Sequence, residues 1–210
     1  RLRRTPWGEM TYLDYRRRLE FGEEEFAVID RHCADRGIHW FASAWDLEAL
    51  AFLERFAPVC HKCASACLTD HELLAAMAAT GRPLFLSTGM STMGQIRRAW
   101  QRVRHHPLVL MHNTSSYPCP PGEINLRMIE TLRREFPVPI GYSGHEGGLQ
   151  TTYAARALGA CAIERHVTLD RNMWGSDQRA SVEGTGALRL VRDIRVIEEA
   201  VRLGRQAVVL

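Results

Sequence analysis

Lysine is almost absent from this 210-residue chain: of its 27 lysine and arginine residues, only Lys62 is a lysine. No stretch approaches the roughly 18 uninterrupted apolar residues that a membrane-spanning helix requires, and the N-terminus has no apolar signal-peptide core. With 46% hydrophobic and 24% charged residues, the composition is typical of a chain that buries a core. We therefore expect one domain over residues 1–210, located in the cytoplasm, with no membrane partner.

The net charge of +3 is small and dispersed along the chain, which argues against nucleic acid as a partner. The six cysteines lie in apolar segments and are typical of reduced, mostly buried thiols. A metal site on Cys60, Cys63 and Cys67, with His61, is the alternative interpretation. A structural zinc site usually needs a second ligand pair at matched spacing, and none follows, so buried thiols are favoured.

Short apolar runs that end in small polar residues recur along the chain, with starts 22, 23, 24, 32 and 22 residues apart. These six runs are His39–Trp45, His61–Ala66, Leu84–Met90, Leu108–Thr114, Ile140–His145 and Ala162–Val167. Segments with apolar residues at helical spacing accompany them. The predicted helices are Glu23–Arg36, Leu47–Phe56, Asp70–Thr80, Ser91–Arg104, Glu123–Glu135, Leu149–Leu158 and about Thr185–Leu203. Alternating strands and helices predict βα units and a parallel sheet.

No Gly-x-Gly-x-x-Gly fingerprint follows any predicted strand, which favours an α/β barrel of the (β/α)8 type over an open dinucleotide-binding sheet. A complete barrel has eight strands, whereas the sequence indicates six and none before His39. We therefore expect six parallel strands in an open, curved sheet that lacks the first two barrel strands. Its exposed edges, at the His39 and Ala162 runs, would invite association and leave the chain alone a poor catalyst.

His145 and His166 end two consecutive predicted strands. Neighbouring parallel strands lie about 4.8 Å apart, so imidazoles that point inward from both could share one divalent ion. Two histidines leave coordination positions open for water or substrate, which suits Lewis-acid catalysis better than structural zinc. A pair of hydrogen-bonded histidines at the rim of the sheet is an equally compatible interpretation.

Lys62 lies at the end of a predicted strand in a chain that otherwise uses arginine, which indicates a need for a compact ammonium group. Such a group could hold a phosphate or a carboxylate, and an ordinary exposed lysine is the alternative. Hydroxyl groups that suit an anionic ligand follow the neighbouring strands: Ser65, Ser87, Thr88, Thr114, Ser115, Ser116 and Ser143. No nucleophile elbow or Ser-His-Asp order is visible, which disfavours covalent hydrolysis.

Four segments together resemble the sialic acid synthase family, which includes N-acetylneuraminate, legionaminate and pseudaminate synthases. They are Leu-Ser-Thr-Gly-Met at 86–90, His-Asn-Thr-Ser-Ser-Tyr-Pro at 112–118, Gly-Tyr-Ser-Gly-His at 141–145 and Ile-Glu-Arg-His-Val-Thr-Leu-Asp at 163–170. The resemblance runs from about Thr5 to Leu203. It is specific for the family and not for one sugar.

The resemblance implies a metal-dependent condensation of phosphoenolpyruvate with the open-chain aldehyde of an N-acetylhexosamine, which gives a nonulosonic acid and phosphate. It places a divalent ion, typically Mn2+ with Mg2+ or Co2+ as alternatives, on His145 and His166. The implied phosphoenolpyruvate contacts are Ser43, Lys62, Ser65, Ser87, Ser115 and Ser143. The implied sugar contacts are Tyr117 and Asp177, and the enzyme is expected to be a homo-oligomer.

This sequence departs from the family pattern after the lysine motif, where many members have Gly-Glu and this chain has Ala66 and Cys67. This departure indicates either a different acceptor sugar or a carboxylate at another position such as Glu146, which is the candidate catalytic residue. The family's Ala-Glu-Ile-Gly motif, its second phosphate-binding lysine and its C-terminal antifreeze-like domain have no counterpart. Two alternatives stay open: another phosphoenolpyruvate-dependent deoxy-sugar-acid synthase, and a degenerate barrel that binds sugar or a partner protein without catalysis.

Overall fold

The computed structural model describes residues 2–202, and it begins with a two-stranded antiparallel hairpin of β1 (Leu2–Thr5) and β2 (Gly8–Thr11). The Thr5 hydroxyl donates to the Gly8 carbonyl at 2.8 Å, and the backbone φ of +100° at Gly8 suits glycine. The prediction that no strand precedes His39 is therefore wrong. The hairpin forms its own small sheet, so it does not supply the missing barrel strands.

The central element is a parallel five-stranded sheet in which sequential strands are neighbours. Its strands are β3 (His61–Cys63), β4 (Leu84–Ser87), β5 (Leu108–His112), β6 (Ile140–Gly144) and β7 (Ile163–Arg165). Each strand lies inside one of the second to sixth predicted runs, which confirms the parallel α/β sheet of the sequence analysis. The expected sixth strand is not formed.

The two edges of the sheet differ from the sequence prediction. In the first predicted run, only Ser43 pairs with the sheet, through an isolated parallel bridge to Lys62. At the other edge, the chain continues past His166 as β8 (Val167–Thr168), which pairs in parallel with β9 (Val182–Glu183). The expectation that the Ala162 run ends in an exposed edge is therefore wrong for its last residues. A strand of two residues carries too little alternation to be recognised in the sequence.

Eight α-helices lie within the described residues, and six of them correspond closely to predicted helices. Their bounds are α1 (Tyr12–Leu19), α2 (Glu23–Arg36), α3 (Leu47–Glu54), α4 (His71–Ala79), α5 (Met93–Val103), α6 (Met128–Glu135), α7 (Gln150–Ala157) and α8 (Gly184–Arg202). The sequence did not predict α1. The predicted end of the last helix at Leu203 lies outside the described residues.

Side-chain caps set the start of several helices. Asp46 and Asp70 accept hydrogen bonds from the backbone N–H groups of Ala49 and Leu73, at 2.7 and 3.0 Å. The helix predicted from Glu123 begins only at Met128. Residues 121–123 form a short 3-10 helix, and a left-handed backbone at Asn125 (φ +48°) separates it from α6.

Alternation along the central strands divides the sheet into two faces. Leu84, Leu86, Leu108 and Leu110 are at most 6% exposed and pack with the helices in one hydrophobic core. The side chains on the opposite face of the sheet are more polar. The register aligns Lys62 with Phe85, Ser87 with Met111 and Gly141, and Ser143 with Glu164, so these side chains share the face away from the helices.

A contact between the two edge strands shows how strongly this sheet curves. Lys62 of β3 and Glu164 of β7 approach to 3.4 Å between Nζ and Oε1. In a flat sheet with strands about 4.8 Å apart, five strands would separate the edges by about 19 Å. The sheet is therefore a half-barrel, and its concave face carries the polar row.

All six cysteines are free thiols, and four of them are buried: Cys60, Cys63, Cys67 and Cys119. Burial raises the pKa of Cys63 to about 12, which keeps this thiol protonated and unreactive. Within residues 2–202, no helix combines the length and hydrophobicity that crossing a bilayer requires.

Candidate active site

His145 and His166 lie next to each other at the carboxyl ends of neighbouring strands. His145 follows β6 directly, and His166 lies between β7 and β8. Their ring centroids are 5.3 Å apart and the rings cross at 68°. The structure thus brings together the two imidazoles that the sequence analysis selected as metal ligands.

The surroundings of His145 fix one ring orientation and favour the neutral ring. Its Nδ1 lies 2.6 Å from the Thr114 carbonyl oxygen, a contact that requires the Nδ1–H group as donor. Burial lowers the pKa of His145 more than this hydrogen bond raises it. The lone pair therefore lies on Nε2, and a histidine whose other ring nitrogen donates to a backbone carbonyl has the usual arrangement of a metal ligand.

Tyr117 and Asp177, the predicted sugar contacts, both reach this histidine pair. The Tyr117 ring stacks on His145 at 4.1 Å and meets His166 edge-on at 5.4 Å, and its hydroxyl lies 3.0 Å from His145 Nε2. Burial, with the charges of Asp177 and Glu164, raises the pKa of Tyr117 to about 12, so this phenol remains a hydrogen-bond donor. Asp177 Oδ2 lies 3.8 Å from His166 Nδ1.

Four of the six predicted phosphoenolpyruvate contacts form two groups, one on the concave face and one in the segments that follow β3 and β5. Lys62 Nζ lies 3.4 Å from Glu164 Oε1, and the Ser143 hydroxyl donates to the same oxygen at 2.8 Å. Ser65 and Ser115 meet at 3.4 Å between hydroxyl oxygens. Among the described residues, the Ser87 hydroxyl has no hydrogen-bond partner although it is buried. A buried hydroxyl without a partner is costly, so Ser87 is a ready donor for a bound ligand.

Glu164 is a site residue that the sequence analysis did not select. It contacts both Lys62 and Ser143, and its side chain is 32% exposed. The available signal was its spacing, because residues two apart on a strand share a face and Glu164 lies two positions before His166. Its position at a strand end could be predicted, but the sequence indicated no role for it beside His166.

Glu146, the candidate catalytic carboxylate, lies in a separate buried network. It is 1% exposed and accepts hydrogen bonds from Tyr142 at 2.8 Å and Thr152 at 2.7 Å. Arg165, also buried, contacts it at 3.2 Å. Burial raises the pKa of Glu146, but the hydrogen bond from Thr152 and the charge of Arg165 help to hold it below its ordinary value. This carboxylate is engaged on all sides and is not in contact with Lys62.

The histidine pair fits an open-sided divalent ion. Within residues 2–202, no three or more His, Cys, Asp or Glu side chains are arranged to hold a metal ion, so the alternative cluster of Cys60, Cys63, Cys67 and His61 is not assembled. Cys67 is instead part of the hydrophobic core. The oriented Nε2 of His145, with the His166 ring beside it, matches a catalytic ion that takes its remaining ligands from water and substrate.

A substitution at Gly89 tests whether Ser115 contributes to ligand binding. A Cβ atom there would lie 2.5 Å from both Asn113 Nδ2 and Ser115 Oγ, and the Gly89 N–H donates to Asn113 at 2.7 Å. We expect Gly89→Ala to displace Ser115 and weaken phosphoenolpyruvate binding about tenfold or more in calorimetry. Gly94→Ala is the matched control, because the new methyl would meet only ordinary contacts in α5. Equal affinities for the two variants would contradict this placement of Ser115.

His112 predicts a pH dependence of stability. It is 6% exposed, and its Nε2 lies 2.8 Å from the Ile124 carbonyl. Burial lowers the pKa of His112 despite this hydrogen bond. Between the lowered folded pKa and the unfolded value near 6.5, only the unfolded chain takes up the proton, so stability falls as the pH falls.

The check is urea unfolding of wild type and His112→Gln between about pH 7.5 and about pH 5.5. Wild type should lose more free energy of unfolding than the variant, by up to about 1.4 kcal/mol per pH unit. Other buried histidines affect both proteins equally. Parallel stability curves would contradict the assignment.

A curved parallel sheet with polar side chains on its concave face and at its strand ends is the layout of a barrel enzyme, whose active site lies at that end. The NeuB family model matches residues 2–206. This chain belongs to the NeuB family.

Relatives and a solved structure agree with that assignment. The chain is 38% identical to human N-acetylneuraminate-9-phosphate synthase, over 92% of this chain and 55% of that protein. It is 32% identical to N,N'-diacetyllegionaminic acid synthase of Campylobacter jejuni, over 94% and 60%. The crystal structure of N-acetylneuraminic acid synthetase from Leptospira borgpetersenii superposes with a TM-score of 0.85 at 32% identity, covering 91% of this chain and 67% of that one. The chain thus spans little more than half the length of these curated relatives.

Proposed function

We propose that this chain carries the phosphoenolpyruvate and metal sites of a nonulosonic acid synthase that condenses phosphoenolpyruvate with an N-acetylhexosamine. One observation carries the proposal: Lys62, the only lysine, contacts Glu164 of β7 on the concave face, and Glu164 also bonds Ser143 of β6. These two strands lead directly into His166 and His145. Family membership and the names of the relatives support the reaction class.

In this proposal, the ammonium group of Lys62 and the surrounding hydroxyls hold the phosphate and carboxylate of phosphoenolpyruvate. The hydroxyls are those of Ser43, Ser65, Ser87, Ser115 and Ser143. The buried Ser87 hydroxyl gains a partner when the ligand binds. A compact ammonium and several neutral donors stabilise an anion without supplying a competing base.

His145 and His166 would hold the divalent ion, for which Mn2+ is the first candidate and Mg2+ or Co2+ are alternatives. When bound, such an ion polarises the aldehyde oxygen of the sugar as a Lewis acid. Tyr117 stays protonated and can donate to the same end of the sugar. Asp177 is half-exposed beside His166 and can accept hydrogen bonds from sugar hydroxyls.

The proposed reaction forms one carbon–carbon bond and breaks one carbon–oxygen bond. Carbon 3 of phosphoenolpyruvate attacks the aldehyde carbon, and the aldehyde oxygen takes up a proton to become a hydroxyl. Water adds to carbon 2 and loses a proton, and phosphate then leaves with the bridging oxygen, which yields the 2-keto acid. Glu164, in contact with Lys62 and Ser143, is better placed than the enclosed Glu146 to accept the proton from water.

The experiment follows the bridging oxygen of phosphoenolpyruvate, labelled with a heavy isotope, in the presence of N-acetylmannosamine and Mn2+. We expect the label in inorganic phosphate and a nine-carbon 2-keto acid as the other product. We expect slow turnover by the 210-residue chain alone, so the assay uses high protein concentration and reads isotope position, not rate. Label retained in a keto acid, or phosphate release without sugar, would indicate a phosphatase and overturn the proposal.

We also propose that residues 1–210 form one domain and that the protein is a homo-oligomer located in the cytoplasm. The six free thiols are consistent with a reducing compartment. Among the residues that the structure describes, the outer side of β3 pairs only through Ser43, and such an edge favours association. Light scattering across a tenfold range of protein concentration tests the oligomer, and a constant monomer mass would contradict it.

A further inference from the structure

Arg165 is the last residue of β7 and directly precedes His166, yet its side chain is buried, with 2% of it exposed. Alternate residues of a strand face opposite sides of a sheet, so Arg165 points away from the concave face that carries Glu164. The guanidinium therefore does not touch a substrate on that face, and the proposed reaction does not involve it.

The Arg165 side chain crosses the neighbouring strand β6 at Gly144, its partner in the register. A Cβ atom at Gly144 would lie 2.9 Å from Arg165 Cδ and 2.6 Å from a carboxylate oxygen of Glu146. The glycine thus leaves the space through which the arginine passes over β6 and reaches the loop that follows this strand.

The guanidinium fixes the backbone of the loop that begins with His145. Arg165 Nη2 donates to the Glu146 carbonyl at 2.7 Å, and Nη1 donates to the Gly148 carbonyl at 2.8 Å. The Glu146 carboxylate, 3.2 Å from Nη1, balances the buried charge. One side chain thus connects the strand that leads into His166 with the residues directly after His145.

The same guanidinium also reaches the segment that carries Asp177. Arg165 Nη2 lies 3.3 Å from the Ala180 carbonyl, and the Ala180 N–H donates to the Asp177 carbonyl at 3.1 Å. Asp177 Oδ2 in turn lies 3.8 Å from His166 Nδ1. Arg165 therefore bonds to the chain segments on both sides of the histidine pair.

We propose that Arg165 is a positioning residue that sets the distance between the His145 and His166 rings, and thereby the affinity of this pair for a divalent ion. This inference rests on the proposed function, because it assumes that the two imidazoles share one ion. A planar guanidinium bonds several acceptors in fixed directions, whereas a lysine ammonium is a point charge on a flexible stem. Loss of the groups that orient metal ligands typically costs about 10–100-fold in metal affinity.

The test is titration of the full chain with Mn2+, with free Mn2+ measured by electron paramagnetic resonance. Arg165→Lys keeps a positive charge beside Glu146, so the buried carboxylate retains its counter-charge, and circular dichroism checks that the variant is folded. We expect Arg165→Lys to bind Mn2+ at least about tenfold more weakly than wild type. Gly144→Ala, which displaces the same side chain from β6, should have a similar effect.

Arg82→Lys is the matched control. Arg82 also bonds a carboxylate and a backbone carbonyl, those of Glu54 at 2.7 Å and Pro58 at 2.8 Å. It precedes β4 and so lies at the amino end of the sheet, away from the histidines. Arg82→Lys should therefore leave Mn2+ affinity unchanged, even where it lowers the stability of the fold as much as Arg165→Lys does.

Amide hydrogen exchange without metal gives a second, independent measurement. The Cys119 N–H donates to the His145 carbonyl at 2.9 Å, so its exchange reports on how firmly the His145 backbone is held. We expect this amide to exchange at least about tenfold faster in Arg165→Lys than in wild type or Arg82→Lys.

The outcomes separate this inference from the proposed function. A wild-type chain that binds no Mn2+ would overturn the proposed metal site, and the positioning role with it. Tight Mn2+ binding by wild type with equal affinity in Arg165→Lys, equal losses in Arg165→Lys and Arg82→Lys, or unchanged exchange at Cys119 would overturn the role of Arg165 alone.

Discussion

Arg165→Met is expected to destabilise the fold by about 3–5 kcal/mol, the usual cost of removing one partner from a buried ion pair. The Arg165 side chain is 2% exposed, and its guanidinium donates to the carboxylate and the carbonyl of Glu146. It also donates to Thr152 and to the carbonyls of Gly148 and Ala180. Methionine fills much of the volume but leaves the Glu146 carboxylate buried without a counter-charge. Urea unfolding measures the loss.

Arg97→Met is the matched control for this prediction. Arg97 pairs with Glu135 at 2.6 Å, but its side chain is 52% exposed. Exposed ion pairs contribute about 0–1 kcal/mol because water and salt screen them. A loss of stability in Arg165→Met no larger than that in Arg97→Met would contradict the structural role assigned to the buried network.

Lys62→Ala is expected to weaken phosphoenolpyruvate binding by about 2–5 kcal/mol, with the sugar little affected. Lys62 is largely buried, with 16% of its side chain exposed, and it faces Glu164 from the opposite edge of the half-barrel. Removing the ammonium leaves the Glu164 carboxylate without this cation beside it, and the carboxylate repels an anionic ligand. Calorimetric titration with phosphoenolpyruvate gives the measurement.

Lys62→Arg tests whether phosphoenolpyruvate binding depends on the positive charge alone or also on the shape of the group that carries it. The guanidinium keeps the positive charge but is a wide, planar fork, so it should not fit where a compact ammonium lies between Glu164 and the strand-end hydroxyls. We expect Lys62→Arg to bind phosphoenolpyruvate nearly as poorly as Lys62→Ala. Wild-type affinity in the arginine variant would refute the special role of the only lysine.

The parallel sheet could be predicted because its signals are local and repeated. Leu84–Ser87 and Leu108–His112 are short apolar runs bounded by turns, and the helices that follow carry their own caps. The hairpin of residues 2–11 could not be predicted, because most of its side chains are exposed and the sequence there has no apolar alternation. The prediction for the first run, 39–45, was wrong in the opposite way. This run has the composition of a strand, but only Ser43 pairs with the sheet.

The positions of some candidate site residues were predictable because their residue types are distinctive, whereas their roles as ligand and metal contacts stay predictions. A lone lysine and two strand-end histidines stand out in any sequence, and the structure brings each beside polar partners. Glu164 and Glu146 could not be ranked, because their difference depends on curvature. Only in a half-barrel does β7 bring Glu164 to Lys62, while Arg165 on the other face encloses Glu146.

The most direct test of the central claim is a crystal structure of the protein with phosphoenolpyruvate and Mn2+. We predict one ion with a nitrogen of His145 and a nitrogen of His166 each at about 2.0–2.3 Å. We also predict phosphoenolpyruvate oxygens within hydrogen-bonding distance of Lys62 Nζ and the Ser87 hydroxyl. Phosphoenolpyruvate bound away from Lys62, or imidazoles that turn to opposite sides of the sheet, would contradict the account.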